Sequence, residues 1–270
     1  MLKNSLLVAA LASAFAMPAM AEEAKSAHTV TSNVGFVSNY VYRGITQTVG
    51  KPAIQGGIDY SHASGIYAGV WGSNVSWITG SGATGDASME LDTYAGYRST
   101  IVEDVPFDVG FIGYNYLGNY IPAAGGYDKA DTKEAYGSVG YKWVTVKYSY
   151  AFGSFLTVPG ATGTNYIEVN ASYPIADSGF TLAAHYGKQK YKGTFTNTLV
   201  AGVSADGVST DPSYSDYKLA VTKDVSGYVL GLAYTNTNAK ANGYYTYTST
   251  SGRKSNWAKN AIAVSLTHSF

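Results

Sequence analysis

Cysteine is absent from this chain, which excludes a disulfide framework, a thiolate metal site and a cysteine nucleophile. An excess of either charge is absent too, since 18 Lys and Arg balance 18 Asp and Glu and the sequence pI is near 6.9. Without a positive footprint nothing neutralises a phosphate backbone, so no nucleic-acid partner is expected. Charge is scarce overall, 13% of residues against about 25% in an average soluble domain. After Glu22 there is no uncharged apolar run of 18 residues and no sustained i, i+3, i+4, i+7 pattern, so neither a spanning helix nor a long amphipathic one is expected there. What the chain has in quantity is tyrosine, 25 of 270 residues, within an aromatic share of 14%. A soluble enzyme carries more charge and less tyrosine.

Residues 1–21 contain the basic Lys3, an apolar run from Leu6 to Met17 and the small-x-small ending Ala19-Met20-Ala21. The run is about a dozen residues, short of the roughly 20 that a spanning helix requires, so the segment reads as a cleaved secretory signal peptide rather than an anchor. Its removal takes Lys3 away and leaves 17 basic against 18 acidic residues, a mature charge of −1. Residues 22–270 show no internal repeat, linker or shift of composition and are expected to form one domain.

In that domain the hydrophobic period is two. Ile262, Val264, Leu266, His268 and Phe270 alternate with Ala261, Ala263, Ser265, Thr267 and Ser269. Tyr228-Leu230-Leu232-Tyr234 repeats the pattern with aromatic rings at both ends of the apolar face. Further copies are Leu91-Thr93-Ala95-Tyr97, Val144-Val146-Tyr148-Tyr150, Ile167-Val169-Ala171-Tyr173 and Phe180-Leu182-Ala184-Tyr186. Alternation alone also fits a soluble β-sandwich. Two features favour a membrane barrel. Several segments run for about 10 to 12 residues, the length a tilted strand needs to cross the hydrocarbon layer, whereas ordinary strands average about 5 to 6. Tyr, Trp and Phe gather at segment ends, where interfacial aromatic girdles belong.

The expected fold is an all-β, antiparallel up-and-down transmembrane barrel. Strands are expected near 32–43, 52–62, 65–75, 88–98, 106–117, 132–141, 144–154, 164–173, 179–190, 213–223, 227–238 and 259–270, twelve in all. The third leaves open whether Ile66-Ala68-Val70 or Tyr67-Trp71 faces lipid. Short connections then alternate with long ones, as an even-stranded barrel with both termini on the periplasmic side requires. The expected partners are outer-membrane lipids and, during biogenesis, the barrel assembly machinery. A final Phe270 preceded by apolar residues at every second position resembles the C-terminal assembly signal of bacterial outer-membrane barrels, with His268 departing from it where an aromatic ring is more usual.

The run Ser38-Asn39-Tyr40-Val41-Tyr42-Arg43-Gly44-Ile45-Thr46-Gln47-Thr48, with Pro52 to Tyr60 and Gly65 to Val75 after it, resembles the proteobacterial TorF family of porin-like proteins. These motifs span residues 36–75, and the rest of the chain matches in length and layout only. The resemblance implies an outer-membrane porin and supplies no substrate.

Twelve strands tilted by about 40° and spaced ~4.8 Å enclose a backbone cylinder about 24 Å across. Side chains expected inside include Asn39, Arg43, Gln55, Asp59, Glu90, Asp92, Arg98, Glu134, Lys142, Lys147, Glu168, Asn170, His185 and Lys218. Both signs are present in similar number, which predicts a channel for small polar solutes with weak ion preference. The competing reading is a set of mutually paired charges filling a closed barrel. Arg43 and Asp59, on adjacent expected strands, are either a structural pair or part of a constriction.

No G-x-S-x-G elbow is present, nor H-E-x-x-H or H-x3-5-H spacing, so neither catalysis nor metal binding is expected. Gly80 to Gly85 spells G-x-G-x-x-G but leads into a β pattern rather than a helix, so no nucleotide or other cofactor is expected. Oligomeric state stays open, because an interface on a lipid face looks like a lipid face.

Overall fold

β-Branched and aromatic side chains at every second position favour extended backbone, and a strand with one apolar and one polar face needs a neighbour on each edge. The chain satisfies both edges of every long strand by closing the sheet on itself. In the computed structural model, which describes residues 26–80, 84–121, 128–158, 160–192, 195–196, 209–240, 245–248 and 254–270, twelve antiparallel strands form a closed barrel. They are β1 (His28–Val37), β2 (Ala53–His62), β3 (Ile66–Asn74), β4 (Met89–Val102), β5 (Val105–Leu117), β6 (Thr132–Tyr141), β7 (Val144–Ala151), β8 (Asn165–Ile175), β9 (Phe180–Lys190), β10 (Tyr214–Val225), β11 (Tyr228–Thr237) and β12 (Ala261–Ser269). Each pairs with its neighbour in sequence, and β12 closes on β1 with Asn33 opposite Ser269 and Val37 opposite Ser265. The expected leader, residues 1–21, lies outside the described residues.

The apolar face points outward. Leu230 and Leu232 on β11 and Ile262 and Val264 on β12 are exposed, whereas Glu134 on β6 and Tyr166 on β8 are buried inside. On β3, Ile66 and Val70 face outward while Tyr67 and Trp71 are buried in the lumen. The larger rings turn inward there because they fill the interior and meet polar partners. At the short-turn rim, rings pair into a belt: Trp143 with Tyr173 at 4.9 Å between centroids, Tyr97 with Phe107 at 5.9 Å. His268 completes this belt, stacked on Tyr228 at 4.4 Å and edge-on to Phe270 at 4.7 Å.

Two boundaries differ from the sequence reading. β4 runs on to Val102, so its hairpin to β5 closes through Glu103-Asp104 with Asp104 in the left-handed region. β1 stops at Val37 rather than near residue 43, and residues 38–52 turn into the barrel instead of continuing along its wall.

Candidate functional site

The inward segment begins with Asn39, whose carboxamide oxygen accepts hydrogen bonds from Thr46 Oγ1 at 2.5 Å, Thr48 Oγ1 at 3.3 Å and the Gly50 amide at 3.1 Å. This hub folds Val41–Tyr42 back on Ile45–Thr46. The two residues between, Arg43 and Gly44, have φ of 44° and 77°, the signature of a tight I′ hairpin. Glycine is required at position 44 because its φ is positive and a Cβ would run into Asp216 on β10.

The hairpin carries Arg43 across the lumen to the far wall. Its guanidinium donates to both oxygens of Glu134 on β6, Nη1 to Oε1 at 2.9 Å and Nη2 to Oε2 at 2.7 Å, and also to Gln189 on β9 at 3.1 Å. It lies 4.3 Å from the ring centre of Tyr166 and 4.9 Å from that of Tyr42. Tyr42 donates to Tyr114, which donates to Glu134 at 3.1 Å. Arg43 is therefore neither on a strand nor paired with Asp59; the turn at residue 43 sends it to a partner 91 positions along the chain. Asp59 instead accepts from Tyr94 at 2.6 Å.

From Arg98 near the short-turn rim to Asp216 near the long-loop rim, the lumen carries a ladder of polar residues that face one another in register. Arg98 lies opposite Asp108, Asp108 opposite Ser138, Ser138 opposite Lys147, Lys147 opposite Glu168, and Glu168 opposite Gly187, which lies opposite Asp216. The cations rest on tyrosine rings, Arg98 4.0 Å from Tyr67 and Lys147 4.2 Å from Tyr136, and Tyr67 donates to Asp108 at 2.6 Å. On β8–β10 the network is saturated: His185 Nε2 is 3.0 Å from Asp216 and 2.9 Å from Tyr166, and its Nδ1 is 2.7 Å from Asn170 and 3.6 Å from Glu168. Lys218 lies opposite His185 in register.

Gln55, Glu90 and Asp92 face inward from β2 and β4; Gln55 Nε2 donates to Ser73 at 3.3 Å. Glu90 and Asp92 are 1% and 6% exposed. Two lumen carboxylates were not anticipated, Asp108 and Asp216, and Lys142 lies at an exposed turn with φ of 52°. Among the described residues the lining thus holds seven carboxylates, Asp59, Glu90, Asp92, Asp108, Glu134, Glu168 and Asp216, against four cations, Arg43, Arg98, Lys147 and Lys218. This replaces the expected balance of signs with an acidic excess.

At the long-loop rim two apolar clusters flank the hairpin. Phe155, Val158 and Ala161, from the β7–β8 connection, pack with Ile45; Val75, Ile78 and Ala87 pack with Tyr40 and Tyr42. Together with the Arg43 hairpin they occupy part of the lumen at that rim. No group of three or more His, Asp or Glu able to hold a metal occurs among the described residues. A serine does meet a histidine at the opposite rim, Ser64 Oγ at 2.8 Å from His62 Nδ1, but within one turn and with no carboxylate on that ring among the described residues.

Residues 21–270 match the family model described as "Bacterial protein of unknown function (Gcw_chp)". No curated protein matches the chain. Among solved structures, the COG4313 outer-membrane channel from Pseudomonas putida F1 is similar over 92% of this chain and 96% of its own, at 11% identity and a TM-score of 0.49. The NanC porin is similar over 90% and 99%, at 10% identity and a TM-score of 0.48. Pseudomonas aeruginosa OprD is similar over 92% and 68%, at 12% identity and a TM-score of 0.39.

Proposed function

The chain belongs to the Gcw_chp family of bacterial proteins of unknown function, and on that premise we propose that it is a porin-like channel of the bacterial outer membrane, passing small hydrophilic solutes by diffusion. One observation carries this reading: charge in the lumen is largely unpaired. Among the described residues Arg43 is the only Lys or Arg with a carboxylate within 4.0 Å. Arg98, Lys147 and Lys218 have none, and each keeps part of its surface accessible. A barrel filled for structure alone would pair such groups, because isolated buried charge is costly. A lining that meets water and passing solutes has no such need.

The rest of the proposal follows from the same reading. Residues 1–21 are removed as a signal peptide, Phe270 serves the assembly machinery, the outer surface meets lipid, and the chain has no catalytic role. The resemblance of residues 36–75 to the TorF family points the same way. A second reading, a non-conducting barrel, is favoured by one feature, the Arg43 strap with its apolar flanks. Conductance of the refolded barrel, residues 22–270, in a planar bilayer separates them. Discrete steps are expected, and a folded barrel that gives none overturns the channel.

A further inference from the structure

Buried polar atoms without a protein partner are not spread evenly around the barrel. Six of the seven among the described residues belong to Asn33, Asp59, Ser76, Trp77, Glu90 and Asp92, on β1–β4 and the segment after β3, and none lies on β6–β10. One arc of the wall is saturated, and the other keeps buried donors and acceptors unused.

Glu90 and Asp92 centre that arc. They are two residues apart on β4, so both side chains enter from one face. Glu90 Oε1 accepts from Tyr116 at 3.1 Å, yet Glu90 Oε2 and Asp92 Oδ1 have no protein donor. Aromatic rings surround the pair. Trp71 and Tyr114 lie opposite Asp92 on the two adjoining strands, Tyr40 packs edge-on to Trp71 at 5.6 Å, and Trp77 packs edge-on to Tyr116 at 5.3 Å.

Two carboxylates with unused oxygens among ring faces are complementary to an organic cation. The rings attract positive charge and accept an alkyl stem, while they cannot replace the water shell of a small metal ion. A divalent metal would need about six oxygen ligands, and no cluster of three ligating side chains is present among the described residues. A guanidinium prefers both oxygens of one carboxylate, whereas the buried unpartnered oxygens here are split between two, Glu90 Oε2 and Asp92 Oδ1. A primary ammonium has three donors, enough for Glu90 Oε2, Asp92 Oδ1 and a tyrosine hydroxyl. We propose that the Glu90–Asp92 pair, roofed by Tyr40 of the inward hairpin segment, is a binding site for solutes that carry a primary alkylammonium group. The inference deepens the channel reading and rests on it for access to the lumen.

The test titrates the refolded barrel in detergent with n-butylammonium by calorimetry and records the conductance of the same preparation. Saturable binding is expected, not reproduced by sodium at equal ionic strength or by butyrate, and weakened at least tenfold in Glu90→Gln and in Asp92→Asn. Equal affinity in both folded variants overturns the site. Where neither variant folds, tetrabutylammonium against the wild-type barrel decides: it has no N–H to donate, so affinity equal to that of n-butylammonium overturns the proposal, and weaker affinity supports it. A barrel that conducts but binds no n-butylammonium loses the site and keeps the channel. One that binds it but passes no current keeps the site and loses the channel.

Discussion

Gly187 shows how closely the saturated arc is built. A Cβ there would occupy the space of the Tyr166 hydroxyl, which lies 2.9 Å from both His185 Nε2 and Asp216 Oδ2. Gly187→Ala therefore has to displace the tyrosine and with it two hydrogen bonds, at a cost of about 1–3 kcal/mol. Urea unfolding from phospholipid vesicles should show that loss, and an unchanged midpoint would mean that Tyr166 does not hold the arc together. At this scale much was legible in the sequence. Asp108 and Asp216 sit opposite the apolar faces of their strands, flanked by Phe107 and Val109 and by Ser215 and Tyr217, so the alternation that places Lys218 inside places Asp216 there too. Which groups touch was not legible, because Arg43 and Glu134 meet only once the barrel closes.

The inward segment is the one element that alternation misread. Asn39, Val41 and Arg43 still alternate with Ser38, Tyr40 and Tyr42, so nothing in the period marks the end of β1 at Val37. The signals that matter are Gly44, free to take positive φ at a hairpin tip, and the Asn39 hub that ties the segment to itself. If the Arg43–Glu134 pair holds the hairpin across the lumen, Arg43→Met should release it, since removing one partner of a buried pair costs about 3–5 kcal/mol. The expected outcome is a larger single-channel conductance and faster amide exchange over residues 41–48. Glu134→Gln should act in the same direction, and Arg43→Lys should fall between, keeping the charge but not the two-pronged geometry. Conductance equal to wild type in all three would show that the hairpin does not limit the path.

At the scale of the barrel, seven lumen carboxylates against four cations among the described residues make the interior acidic even though the full chain is neutral. In a salt gradient the reversal potential should take the sign of cation preference and move toward zero in the double variant Glu90→Gln, Asp92→Asn. A potential of the anion-selective sign would contradict the assignment of these side chains to the conducting path. The outer face answers to a different solvent. Leu232, in the middle of β11 and exposed, should cost about 2–4 kcal/mol on replacement by arginine, measured by reversible folding into vesicles. The twelve strands and, except on β3, their in–out faces were readable because lipid and lumen impose the period of two; the occupant of the lumen was not, because it is a loop governed by turn chemistry.

The ladder from Arg98 to Asp216 also bears on how such a cylinder comes to be assembled without error. A slip of two residues between neighbouring strands keeps every apolar side chain toward lipid, so hydrophobicity alone does not forbid it. The charges do. In β4–β5 such a slip sets Arg98 against Pro106 or Gly110 in place of Asp108, and in β7–β8 it sets Lys147 against Tyr166 or Asn170 in place of Glu168. Residues that line the lumen thereby favour one register as its walls are zipped, and a chain stripped of them would lose that bias against cylinders of the wrong shear.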